Sequence, residues 1–248
     1  MRIGTWNVEY AYPSRLDALR EVLSANPADI WVLTETHDEL RPSQCEFVAH
    51  TEPRPKDSPR IRPGSRWVSI WSRFPIIDVV TLPTADRERT IAVLLDIGHI
   101  RKLIVYGTVM PWNGDGNMGW SEHHRIVPQQ CAEWLELSQI YPDADLCVAG
   151  DFNTDMGTGS YYGTKRGIAT LRAGLTACEL FCATEMPRVP VGILQHPPID
   201  HIAVPSAWEP FTKVVSSWPA QKKVLSDHSG LVIETSEAIN SLEKKIAK

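Results

Sequence analysis

Acids, amides and histidines stand in separated segments of this sequence, each against an apolar run. Asn7 and Glu9 follow RIGTW, Glu35 follows IWVLT, and Asp151 and Asn153 follow LCVAG. Asp200 and His201 lie within PIDHIAV, and Asp227 and His228 lie in LSDHSG, just before LVIE. In sheet proteins, ligands and chemistry collect at strand ends and in the loops that follow. Carboxylates, a carboxamide and an imidazole together can hold a hard divalent cation and move protons around a water molecule. Each residue also has a local reading. Asn7 suits a turn, Asp151 with Asn153 suits an Asx-turn, and Glu35 suits a helix cap. Asp200 is harder to place locally, because an acid between Ile199 and Ile202 needs a partner once buried. His228 is a natural partner.

The elements that must position these residues alternate between strand and helix. Strands are expected at Arg2–Val8, Ile30–Thr34, Trp67–Ser72, Thr90–Ile97, Leu103–Val109, Leu146–Ala149, Ile199–Val204 and Leu231–Glu234. A helix is expected over Pro13–Ala25, with Ser14 as cap, Asp17 in the capping-box position, and Leu16, Leu19 and Leu23 on one face. A second spans Ser121–Ile140, where Pro128 marks either its start or a kink. From Glu237 the tail reads as a short amphipathic helix carrying Ile239, Leu242 and Ile246. Pro53–Arg66 holds four prolines and five basic residues. It reads as a solvated loop or as a mobile arm that gathers anionic substrate.

The whole chain bounds the function further. It has 248 residues, 43% hydrophobic and 22% charged, with a net charge of −5. That balance excludes a strongly basic nucleic-acid coat, though not a local basic patch. Five cysteines cannot all pair within the chain and suggest reduced thiols in a cytoplasmic setting. MRIGTWNVEY turns polar too soon for a signal peptide, and no apolar run reaches a membrane span. There is no P-loop, and no GxGxxG at a strand end. Cys178, Cys182, His196 and His201 fit no common zinc spacing, and both cysteines suit a helix face. The nine tryptophans are expected in core and rim packing before base stacking.

TWNVEY, LTETH, GDFNTD, PIDHIAV and LSDHSG, in that order from Thr5 to Gly230, resemble the endonuclease/exonuclease/phosphatase superfamily of metal-dependent phosphoesterases. The resemblance implies a four-layer α/β sandwich, two mixed sheets packed face to face with helices outside, as a single domain over 1–248. It implies Mg²⁺, with Mn²⁺ as a substitute. Glu35 resembles the principal metal ligand, Asn7 the amide beside metal and phosphate, Asp227 a second metal ligand, and Glu9 a weaker candidate. Asp151 resembles the acid that directs the attacking water, Asn153 the phosphate-holding amide, and Asp200 with His228 the Asp–His pair. Phosphoesters resist attack because their oxygens are negative, and a carboxylate-bound cation neutralises that charge as it builds.

One position departs from the pattern. The family often carries a phosphate-contacting histidine or tyrosine where this chain has Val109, or Thr108 with the register moved by one. Tyr106 is expected on the opposite strand face. Trp112, His123, His124 and Arg125 in the following segment are the candidate replacements. The expected activity is nuclease-like phosphodiester hydrolysis. The alternative is a phosphatase or phosphodiesterase on a nucleotide, inositol phosphate or phospholipid headgroup. A non-catalytic scaffold is a third reading, opposed by the presence of Glu35, Asp151, Asp200 and His228. The expected partner is the phosphoester substrate, nucleic acid included, with no protein partner.

Overall fold

A computed structural model describes residues 1–56, 58–81, 86–157, 161–190, 192–222 and 224–236. The amphipathic tail expected from Glu237 lies outside the described residues. The strands are β1 (Arg2–Asn7), β2 (Ile30–His37), β3 (Phe47–His50), β4 (Ser65–Ser72), β5 (Ile76–Val80) and β6 (Thr90–Leu95). They continue as β7 (Lys102–Val109), β8 (Ala144–Asp151), β9 (Leu180–Cys182), β10 (Asp200–Pro205), β11 (Thr212–Trp218) and β12 (Gly230–Thr235). The α-helices are α1 (Leu16–Ala25), α2 (Ser121–Ile140) and α3 (Lys165–Ala177).

Two six-stranded mixed sheets result, ordered β11-β12-β1-β2-β4-β3 and β5-β6-β7-β8-β10-β9. Each has a parallel pair at its centre, β1 with β2 and β7 with β8, and antiparallel neighbours around it. Alternation along each strand sorts side chains into separate layers. Ile3, Val32, Val68 and Ile70 of the first sheet pack against Val93, Leu103, Val105, Cys147 and Ile202 of the second. The other face of the first sheet presents Trp6, Trp31, Leu33 and Trp71 to Leu19 and Leu23 of α1. The other face of the second presents Tyr106 and Val148 to Trp134 and Leu137 of α2 and Leu171 and Leu175 of α3. This is the expected four-layer sandwich, helix–sheet–sheet–helix. Tyr106 lies on the helix side and Val109 between the sheets, as strand periodicity requires.

Local departures have physical causes. The first helix begins as a 3₁₀ turn over Pro13–Arg15 and becomes α-helical at Leu16, with no side-chain cap from Ser14. Arg15 is drawn inward instead, to the Glu9 carboxylate at 2.8 Å and the Leu225 carbonyl. Helix α2 runs through Pro128 rather than starting there. Cys178 caps α3 and Cys182 lies in β9, so they do not share a helix face. The Pro53–Arg66 segment is not a free arm over its described residues. Arg62 bonds Glu39 and the Ala11 carbonyl, Arg66 bonds Asp38, and Arg54 is buried.

Candidate active site

Strand register brings the chemistry-bearing residues to one end of the sandwich. In the first sheet, Asn7 pairs with Thr34, which places Glu35 one residue further along β2. Glu35 has φ 46°, a left-handed conformation uncommon for a side-chain-bearing residue. In the second sheet, Asp151 pairs directly with Asp200 across β8 and β10. Gly150 precedes it at φ 133°, and a Cβ there would stand 2.0 Å from the Thr108 carbonyl oxygen. Glycine is therefore required where β8 delivers Asp151. Asn153, two residues on, has φ 49°.

Hydrogen bonds tie the two sheets together here. The Asn7 backbone N–H donates to Asp200 Oδ1 at 3.1 Å. Asn7 Nδ2 donates to Glu35 Oε1 at 3.3 Å and to Asp151 Oδ2 at 3.0 Å. Asp151 Oδ1 accepts the Asn153 backbone N–H at 2.9 Å. His228 Nδ1 stands 2.6 Å from Asp200 Oδ2, and its Nε2 stands 4.0 Å from Asp151 Oδ2. The sequence reading missed Ser226, whose hydroxyl donates to the Asn7 carbonyl and accepts the His228 backbone N–H. Its signal is its place inside LSDHSG.

Burial and charge set the protonation of this group. Burial raises the Asp151 carboxyl above its ordinary value, to about 7, while the neighbouring imidazole pulls it down. Burial disfavours charge on His228, but the Asp200 and Asp151 carboxylates outweigh it. The imidazole is held protonated, well above the ordinary histidine value.

The remaining candidates are dispersed. Asp227 is exposed and lines a small cleft with Asp200, His228, Tyr161 and His196. Glu9 gives its backbone N–H to Asn7 Oδ1, while its carboxylate pairs with Arg15. Asn153 aims its side-chain amide at the Met110 carbonyl at 2.9 Å. Trp112 packs beside Trp67 and Arg89. His123 is buried on the Pro111 carbonyl, His124 reaches Thr164 Oγ1 at 2.8 Å, and Arg125 pairs with Glu122. These three are not among the groups gathered around Asn7. Cys182 and His201 do meet, at 3.4 Å, but Cys178 and His196 are held elsewhere, Cys178 at the end of α3 and His196 stacked on Tyr161.

The donor set fits a hard divalent ion. Asp151, Asp200 and His228 place ligand atoms within 4.8 Å of one another. Both Asp200 oxygens are engaged, however, by the Asn7 N–H and by the imidazole. Glu35 instead offers a partly accessible carboxylate, its side chain 19% exposed, beside the Asn7 amide. Carboxylate and carboxamide oxygens suit a hard divalent cation.

Comparisons with known proteins agree with this geometry. The endonuclease/exonuclease/phosphatase family model matches residues 4–228. A sequence search of curated proteins matched none. The 3′ phosphatase NExo from Neisseria, solved with a product DNA hairpin, superposes with a TM-score of 0.67 at 18% identity, over 95% of this chain and 99% of that one. The human Nocturnin catalytic domain, solved with a sulfate anion, gives 0.66 at 16% identity over 95% and 93%. The AP endonuclease LMAP from Leishmania major gives 0.63 at 16% identity over 94% and 86%. No described helix is long and apolar enough to cross a membrane. With its motifs in order, its two sheets meeting at a carboxylate–amide–imidazole cluster and the family model covering nearly its full length, the chain belongs to the endonuclease/exonuclease/phosphatase family of phosphoric ester hydrolases.

Proposed function

We propose that the chain, acting as one domain over 1–248, hydrolyses a phosphodiester in a nuclease-like, Mg²⁺-dependent reaction in the cytoplasm. The observation that carries this reading is the Asn7 amide, which donates at once to Glu35 and Asp151 while Asp200 sets His228 beside Asp151. Glu35, with Asn7 and Asp227 as the further candidate ligands, would hold a divalent ion that neutralises charge building on the phosphoryl oxygens. Asp151, with its raised carboxyl, takes the proton of the attacking water. Protonated His228 donates from Nε2 to a phosphoryl oxygen, and Asp200 orients the ring by accepting the Nδ1 proton. Asn153 restrains Asp151 through its backbone N–H, and its side-chain amide, bonded to the Met110 carbonyl, is the proposed phosphate-holding group. The DNA hairpin on the Neisseria relative supports a polynucleotide substrate. Five free cysteines support a reducing compartment.

One observation favours the second reading, a smaller phosphorylated substrate. Arg62 and Arg66 are spent on Glu39 and Asp38, which leaves fewer cations free to track a long phosphate backbone in a chain of net charge −5. The test is hydrolysis with Mg²⁺ of abasic duplex, single-stranded DNA, RNA, bis-p-nitrophenyl phosphate, inositol phosphates and sphingomyelin. Turnover of a nucleic acid with steep salt dependence supports the nuclease reading. Salt-insensitive turnover of a small ester supports the second. No Mg²⁺-dependent turnover of any of them rejects both.

A further inference from the structure

Across the first sheet, in strand order, stand His228 just before β12, Asn7 on β1, Glu35 on β2 and Trp67 on β4. Trp67 is buried, and the Arg54 guanidinium lies flat on it, 3.4 Å from the ring centre. The Tyr10 ring faces the same guanidinium at 4.9 Å. Arg54 is thus clamped between two aromatic rings, and its side chain is 5% exposed. Such a clamp costs side-chain freedom and desolvates a cation, so the charge needs an anion. The nearest acid is Glu35, at 3.5 Å from Nη1. That separation is too long for a good charged hydrogen bond, and Nη1 makes no hydrogen bond among the described residues.

Arg89, on the same tryptophan, offers a contrast. It is paired with Asp115 and Asp86 and also faces Trp112, so it serves as a neutralised prop. Arg54 has no such acid to itself. An ion on Glu35 would draw on that same carboxylate and leave Arg54 Nη1 without a partner. A substrate phosphate beside Glu35 would then take its place.

We propose that Arg54 forms a subsite for a second phosphate, on the side of Glu35 away from Asp151 and His228. Arg54 Nη1 faces Glu35 Oε2, whereas Glu35 Oε1 faces the Asn7 amide that also bonds Asp151. The Arg54 site therefore lies across Glu35 from Asp151 and takes an anion other than the phosphoryl group under attack. The shared chemistry is a phosphoester with an adjacent phosphate, whether from a polynucleotide backbone or from a small polyphosphorylated molecule. This rests on the phosphoesterase reading above and names which substrates that site prefers.

The experiment compares wild type with Arg54→Met and Arg54→Lys in the full chain with Mg²⁺, on three substrates. These are bis-p-nitrophenyl phosphate, which has one phosphate, a short single-stranded oligonucleotide, and a nucleoside diphosphate. In Arg54→Met, the preference in kcat/KM for at least one substrate with a second phosphate over bis-p-nitrophenyl phosphate falls about tenfold or more, through KM, because a charge-assisted contact is lost. Arg54→Lys keeps part of that preference. Loss confined to the oligonucleotide identifies a backbone phosphate; loss confined to the diphosphate identifies a small ligand. An unchanged preference on both overturns the subsite, even with activity intact. Binding of pyrophosphate and orthophosphate, by calorimetry with Mg²⁺, separates the two readings. If Arg54→Met loses pyrophosphate selectively while wild type hydrolyses nothing, the subsite stands and the hydrolase reading falls. Equal affinities for pyrophosphate in wild type and variant, with neither substrate preference changed, overturn the subsite.

Discussion

Asp200 and His228 are 28 residues apart in sequence, yet Asp200 Oδ2 lies 2.6 Å from His228 Nδ1. The other Asp200 oxygen accepts the Asn7 backbone N–H from the facing sheet. One carboxylate thereby orients the imidazole ring and fixes the junction of the two sheets. It is also the leading charge that keeps His228 protonated against burial. Activity that needs this proton is present below the His228 pKa and is lost as pH rises through it. Asp200→Asn lowers that pKa, so the basic limb of the pH–rate profile moves to lower pH. Turnover at neutral pH falls about 10²- to 10⁴-fold. A pH–rate profile with its basic limb unmoved would remove Asp200 from this role.

Asp151→Asn preserves the side-chain volume and one acceptor for the Asn153 N–H. It removes the group placed to take a proton from water. Turnover is expected to fall about 10³-fold or more, with the thermal midpoint within a few degrees of wild type. Stopped-assay turnover and a melting curve check both halves, and near-normal turnover would exclude Asp151 from the chemistry.

Glu35→Gln keeps the hydrogen bond from Asn7 but discards the charge that attracts a cation. Mn²⁺ affinity, read by calorimetry on the metal-stripped protein, is expected to drop at least about tenfold. Chelator is expected to abolish wild-type activity, and added Mg²⁺ to restore it. An affinity equal to wild type would move the metal site away from Glu35.

The site was legible in sequence to the extent that each polar residue stands against an apolar run, before it or after it. Asn7, Glu35, Asp151 and Asp200 all sit at or beside strand ends, as that pattern implies. What alternation cannot report is how segments without periodicity fold onto the rim. Arg54 gains its setting from Tyr10, Trp67 and Glu35, three residues from three other segments. The edge strand β5 was invisible because Ile77 and Val79 are exposed and its pattern is not a core pattern. Helix α3 was hidden by Gly167 and Gly174, which weaken helix propensity. Both glycines serve close approach to α2: a Cβ on Gly174 would stand 2.4 Å from Cys131 Sγ, and one on Gly167 2.9 Å from His123 Nε2.

Gly150→Ala tests the delivery of Asp151. The new methyl group would meet the Thr108 carbonyl oxygen at 2.0 Å, on a backbone with φ 133°. Backbone strain of about 1–3 kcal/mol adds to an overpacking cost of similar size. The expected result is a denaturation midpoint several degrees lower, with activity per folded molecule also reduced because β8 must shift. Gly98→Ala is the control, since its Cβ would meet nothing within 4 Å, although its φ of 75° carries strain. A Gly150→Ala variant no less stable than Gly98→Ala would contradict the packing at Thr108.

His201 supplies the acid sensitivity of the fold beneath the site. It is fully buried, its Nε2 lies 2.9 Å from the Thr154 carbonyl oxygen, and its Nδ1 lies 3.1 Å from Thr184 Oγ1. Donation from Nε2 and acceptance at Nδ1 satisfy a neutral ring. Burial depresses its pKa to about 4, partly opposed by the Thr154 hydrogen bond. The unfolded chain takes this proton near pH 6.5 while the folded chain refuses it until about pH 4. The unfolded state therefore binds more protons between those values, and stability falls as pH falls through that window. The loss from this residue approaches about 3 kcal/mol at pH 4. His201→Gln has no such proton to gain. Its unfolding free energy, measured by urea titration at steps from pH 7 to pH 4, is expected to decline less steeply than wild type over that window. Parallel declines in the two proteins would show that His201 is already protonated in the fold.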